Sequence, residues 1–162
     1  MKLTRDGRFE RTDRWREGKW IDLWSVVHFL TGMSLGLGML LFRFGTTSSV
    51  IIVFLLLVAY EMWEAMVKIE ETPQNRFMDV VVGMASFLPT FLFLAPALSR
   101  YQLILLFGFV LTANVVMATL GWLESRKADE LEKKLRAEFM ERRAQFVKSR
   151  HRRRLRRIAQ RF

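Results

Sequence analysis

The sequence contains no cysteine, which excludes disulfides, thiolate metal ligands and thiol nucleophiles while leaving the redox compartment open. It also lacks a glycine-rich phosphate loop, a helical His-Glu-x-x-His pair and any Ser/His/Asp order of the hydrolase kind, so no standard nucleophile or tight zinc motif announces an enzyme. Proline is limited to three residues among 162. Charge is what the middle of the chain has least of: residues 21–123 hold four Lys/Arg and six Asp/Glu. Residues 1–20 hold seven basic and four acidic side chains, and residues 124–162 hold fifteen and six. The three regions carry net charges of +3, −2 and +9, which together make the formal +10. A nearly uncharged centre between two basic ends is the layout of a membrane protein whose ends stay on the side where Lys and Arg accumulate.

What is there in quantity is apolar sequence. Four stretches, residues 22–42, 49–67, 77–94 and 101–123, each approach the roughly 20 helical residues needed to cross a hydrocarbon layer of about 30 Å. The first follows a highly charged segment of some twenty residues without a small-residue cleavage site, which reads as a retained anchor and not a signal peptide. The connections, at residues 43–48, 68–76 with Pro73, and 96–100 with Pro96, are short enough to make neighbouring helices antiparallel. A soluble bundle would need a charged outer face on each helix, and Val50-Ile51-Ile52-Val53-Phe54-Leu55-Leu56-Leu57-Val58 has none. The expected fold is therefore all-α: a basic N-terminal segment at 1–21, a four-transmembrane-helix bundle at 22–123, and a basic amphipathic C-terminal helix at 124–162.

Lys and Arg counts orient the bundle. The first and third connections carry only Arg43 and Arg100, so both termini are expected in the cytoplasm. Under this topology Trp15, Trp20, Trp24, Trp63 and Trp122 all fall near the cytoplasmic face, a one-sided aromatic belt.

Polar residues inside the spans recur at helical spacing. Ser25, His28, Gly32 and Gly36 share one face of the first helix, Asp79, Gly83, Ser86 and Thr90 one face of the third, and Asn114, Ala118 and Gly121 one face of the fourth. Small residues let membrane helices approach closely, so the glycines and alanines read as packing seams. The ionisable members ask for more. His28, Glu61, Glu64, Asp79 and Asn114 are expected near a common depth in the inner leaflet, where they would form a polar pocket.

Each has a structural alternative beside the functional one. A charged carboxylate at mid-membrane costs about 2.5–3.5 kcal/mol on insertion scales, so Glu61 should be paired, protonated or functional. Glu64 precedes Lys68 by four residues, an ion-pair spacing that favours a structural role. Asp79 is expected in the first turn of the third helix, where the helix dipole stabilises a carboxylate. His28 alone on a packing face would be a hydrogen-bonded core histidine; beside Glu61 it becomes a candidate for proton transfer. His28, Glu61 and Asp79 are also the weak candidates for a metal, since one imidazole with carboxylates suits a hard or borderline cation. No cofactor is specified.

The residues His28-Phe29-Leu30-Thr31-Gly32, Tyr60-Glu61-Met62-Trp63-Glu64 and Asn75-Arg76-x-x-Asp79-x-x-x-Gly83 resemble the pattern of VanZ-like and related small bacterial membrane proteins across about residues 22–90. The chain departs from it in lacking a Gln after the acidic run and in placing Val82-Gly83 where an Asn is expected. The resemblance implies a compact inner-membrane helical bundle in a family linked to the cell envelope and glycopeptide resistance, and it groups His28, Glu61 and Asp79.

The C-terminal region, free of Pro and Gly, keeps apolar residues at helical spacing: Leu131, Leu135 and Phe139, then Met140, Ala144 and Val147, then Leu155, Ile158 and Phe162. Around this narrow stripe lies a cationic surface, densest at Arg150, Arg152, Arg153, Arg154, Arg156 and Arg157. Such a helix contacts anionic lipid, at about 1 kcal/mol per basic side chain, or lays its stripe against another membrane subunit. Nucleic acid or a ribosome is disfavoured because few aromatics are present for base stacking. The reading that follows is a structural or interaction component of the cell envelope or a larger membrane assembly. The alternative is a small envelope-lipid enzyme or a proton- or ion-linked transporter built on the polar cluster.

Overall fold

The computed structural model describes residues 2–3, 9–10, 14–16, 18–67 and 72–159, excluding the side chains of 2–3, 9–10, 147 and 149–159. Its compact units are Arg14–Glu124 and, separately, Met1–Asp13 with Ser125–Phe162. Four helices among the described residues are long and apolar enough to cross a membrane.

Helix α1 spans Leu23–Leu41. Asp22 stands outside it as the N-cap: its carboxylate accepts from the backbone N–H groups of Trp24 at 2.8 Å and Ser25 at 3.2 Å, and the Ser25 hydroxyl accepts from the Asp22 N–H at 3.3 Å. This reciprocal box satisfies donors that the first helical turn would otherwise leave open. At the other end the N–H of Arg43 reaches the Leu40 carbonyl and that of Phe44 the Met39 carbonyl, a Schellman closure that holds Arg43 at φ 60°, a position usually given to glycine.

Helix α2, Thr46–Met66, begins three residues before the apolar stretch suggests. Helix α3, Pro73–Pro89, begins four residues earlier than expected, because Pro73 at its first turn lacks only an N–H that has no intrahelical partner there. Thr72 caps it through the Asn75 N–H. Pro89 cannot donate to the preceding turn, and beyond it the chain widens into a π-helical turn at Thr90–Leu94, where the Ala95 N–H donates to the Thr90 carbonyl. A 3-10 turn at Ala95–Ala97 completes the span. Helix α4 is assigned without interruption over Arg100–Ala159, so no loop separates the fourth span from the basic region.

The closest pairing is α1 against α3. A Cβ on Gly32 would lie 2.1 Å from the Gly83 carbonyl oxygen and 2.1 Å from Ser86 Oγ, and one on Gly36 would lie 3.1 Å from the Phe87 oxygen. Leu57 of α2 fills the space over Gly83. On this side Val53, Leu57, Phe87 and Phe91 form one buried cluster, its two rings stacked at 5.5 Å. A second cluster joins Leu37 of α1, Ala95, and Leu103 and Val110 of α4. The seams read from the sequence are buried throughout α1 and α3. The outer faces are apolar as well: Ile51, Phe54 and Leu55 of α2, and Leu105, Phe109 and Val116 of α4, are exposed, as lipid-facing residues are.

The second unit contributes a two-residue antiparallel pairing that periodicity did not suggest, with Lys2 opposite Glu10 and Leu3 opposite Phe9. Its helical part carries local i to i+4 contacts, Arg136 with Glu132 and Gln145 with Glu141. Leu131, Phe139, Met140 and Phe146 are exposed. The side chains of the arginine cluster from Arg150 to Arg157, and of Leu155 and Ile158, lie outside the described residues, as does Phe162.

Candidate functional site

The starts of α1 and α3 and the end of α2 meet at one end of the bundle. His28 is five residues from the start of α1, Glu61 five from the end of α2, and Asp79 six from the start of α3. At 1.5 Å per residue each stands about 8–9 Å inside its helix end. The shared depth follows from the three offsets; the seams of α1 and α3 turn His28 and Asp79 inward, and Glu61 continues the buried face of α2 formed by Ser49, Val53 and Leu57.

They converge. His28 Nε2 lies 3.6 Å from Glu61 Oε1 and 3.9 Å from Asp79 Oδ2, and one ligand-capable atom from each residue falls within 4.8 Å of the other two. The residues are 8%, 6% and 1% exposed, respectively. Neither His28 contact is short enough for a hydrogen bond, which needs about 3.2 Å or less. The spacing suits a small species shared between the groups better than a direct bond. Tyr60 packs edge-on against the imidazole, with ring centroids 5.7 Å apart.

Asp79 is positioned by two donors. The Ser25 hydroxyl donates to Oδ1 at 2.7 Å, and Asn75 Nδ2 donates to Oδ2 at 3.4 Å. The same Asn75 nitrogen donates to Asp22 Oδ2 at 2.9 Å, where the Gly18 N–H also donates at 2.7 Å. The cap of α1 and the acid of α3 are thereby tied together, and Thr72 adds a bond to the Lys19 carbonyl at 3.1 Å. Asp22 already accepts from three backbone N–H groups and one side-chain amide, so it supports the site without entering it.

One expectation needs correction. Asp79 is in the second turn of α3, since that helix starts at Pro73, and no acidic residue occupies the first turn; the dipole account of its charge does not apply. Asn114 lies within the expected depth but outside the three-donor group. Its Nδ2 donates to Thr31 Oγ1 at 2.9 Å, nearly one turn further along α1 than His28, and Thr31 passes its own proton to the Val27 carbonyl. The Asn114 Oδ1 atom is buried without a hydrogen-bond partner among the described residues. Glu64 is half-buried, a turn nearer the end of α2, and is absent from the three-donor group. Its expected partner Lys68 lies outside the described residues.

From the sequence, Ser25 has only a packing role and Asn75 stands only within a resemblance. Two signals were available: Asp22-x-x-Ser25 is a capping box, and Asn75-x-x-x-Asp79 spans one helical turn.

Aromatic residues gather at the same end. A Cβ on Gly121 would lie 2.6 Å from the Trp15 ring and 3.0 Å from Trp24, and the two indoles meet edge to face at 5.2 Å.

Set against known proteins, the chain matches no family model, no curated protein and no solved structure. What this site can do therefore follows from its donor atoms. An enclosed imidazole and two carboxylates, one of them held by neighbouring donors, can exchange a proton or hold a cation.

Proposed function

We propose that this multi-pass protein resides in a bacterial inner membrane with both termini cytoplasmic, and that its work is done at the His28–Glu61–Asp79 centre as proton- or ion-linked transport or chemistry on an envelope lipid. The single observation that carries this reading is the approach of one imidazole nitrogen to two buried carboxylates from two other helices, at 3.6 and 3.9 Å. Packing glue would be satisfied by local pairs. Three ionisable groups from three helices at one depth carry a desolvation cost that membrane proteins retain mainly where the groups function. The VanZ-like resemblance agrees in grouping the same three residues and in pointing to the cell envelope.

A second reading has its own support. The helical continuation of α4 to Ala159 favours a structural or interaction component, its basic region meeting anionic lipid or a partner subunit. Comparing wild type, Glu61→Gln and a chain truncated after Glu124, at equal expression in the native host, separates the two. In a deletion strain challenged with envelope stress, the first reading expects Glu61→Gln to lose complementation while co-purifying partners stay bound. Loss confined to the truncation, together with its partners, would establish the assembly role instead.

A further inference from the structure

We infer that His28 Nε2, one carboxylate oxygen of Glu61 and one of Asp79 form a three-ligand site for a divalent cation of the zinc or manganese kind, leaving further coordination positions to water. The inference rests on the reading that this cluster is the working centre, and names what it holds.

Spacing is the first support. Donors about 2.1 Å from a tetrahedral metal stand roughly 3.4 Å from one another. The two His28 distances, 3.6 and 3.9 Å, exceed that by a few tenths of an ångström, and all three donor atoms lie within 4.8 Å of one another.

Charge is the second. A neutral imidazole with two carboxylates sums to −2, and a divalent cation makes the group neutral, which lowers the cost of holding it inside a membrane. Donor chemistry is the third: one nitrogen and two oxygens suit borderline and hard cations.

The surroundings match what a ligated carboxylate requires. Ser25 holds Asp79 Oδ1 at 2.7 Å, and Oδ2 is the atom that faces His28. Asn75, fixed in turn by Asp22, braces that oxygen from the side. Such outer partners orient ligands, and their removal weakens metal binding by about 10- to 100-fold.

The test is metal binding by the full chain purified in detergent, stripped with EDTA and dialysed separately against Zn²⁺ and Mn²⁺. Bound metal is read by mass spectrometry, and the Mn²⁺ form by electron spin echo for coupling to an imidazole nitrogen. Wild type should retain one ion per chain with at least one of the two metals. His28→Ala, Glu61→Gln and Asp79→Asn should lose it, Ser25→Ala should bind about 10- to 100-fold more weakly, and Glu64→Gln should bind as wild type does. The Glu61 and Asp79 replacements are isosteric; helicity and gel-filtration profiles confirm that the compared chains are folded. Folded wild type retaining neither metal, or the three ligand variants binding like wild type, would overturn the site. If no metal binds but Glu61→Gln still loses complementation, the cation inference fails and the functional centre stands. If metal binds and Glu61→Gln complements fully, the cation site stands and the functional reading fails.

Discussion

The Ser25 hydroxyl donates to Asp79 Oδ1 at 2.7 Å while accepting from the Asp22 N–H at 3.3 Å, so one small side chain both closes the cap of α1 and fixes the acid of α3. Ser25→Ala removes both. Losing a cap interaction costs about 1 kcal/mol, and losing a buried hydrogen bond to a charged group about 1.5–3 kcal/mol. Because they share an atom they do not add, and we expect the variant to unfold about 2 kcal/mol more easily. Unfolding in a detergent-to-denaturant titration, followed by tryptophan fluorescence, measures this. A loss too small to resolve would mean that Ser25 neither caps α1 nor anchors Asp79.

Gly32 and Gly83 set the α1–α3 distance. With the Gly83 oxygen and Ser86 Oγ each 2.1 Å from the place a methyl on Gly32 would take, Gly32→Ala must push the helices apart, at about 1–3 kcal/mol or more. Gly108→Ala on α4 is the control, because nothing lies within 4 Å of its added Cβ; it should be neutral or mildly stabilising. Equal behaviour of the two variants in the same titration would refute the close seam.

The four spans and their seams were legible because both are matters of period and composition: a lipid-facing helix is apolar all round except for its small and polar stripe. Convergence of His28, Glu61 and Asp79 was legible from their offsets along antiparallel helices. The starting point of α3 was not, because polar Gln74, Asn75 and Arg76 do not look like part of a span, and Pro73 reads as a break although it opens the helix. The Asp79 dipole argument failed with it. The partner of Asn114 was not legible, because a single stripe position does not say which side chain of the facing helix it meets, and it meets Thr31. The support from Asn75 and Asp22 joins residues more than fifty positions apart, which no local pattern encodes.

Asn75 is fully buried and its side-chain nitrogen bridges Asp22 and Asp79. Asn75→Ala leaves one buried and one half-buried carboxylate short of a donor, at about 1.5–3 kcal/mol. Asn75→Asp keeps the shape but places a third acid between them, so it should be the more damaging of the two. The same unfolding titration ranks them, with folded yield in detergent as a second readout. An Asn75→Asp chain as stable as Asn75→Ala would show that the bridge is not electrostatic.

The proposed orientation can be tested on a clean background, since the chain has no cysteine of its own. Thr47 and Ala97 are exposed at one end of the bundle, where α1 hands over to α2 and α3 to α4; Gln74, beside the start of α3, is exposed at the other. Single replacements Thr47→Cys, Ala97→Cys, Gln74→Cys and Lys127→Cys are labelled in intact cells with a membrane-impermeant maleimide, then again after permeabilising the inner membrane. Positive-inside bias predicts that the first two react in intact cells and the last two only after permeabilisation. The reverse pattern would put the His28–Glu61–Asp79 centre in the outer leaflet, facing the cell exterior, and the basic region outside with it. A mixed pattern, with Gln74 and Lys127 on opposite sides, would mean that either α3 or α4 does not cross the membrane and would undo the four-span topology itself.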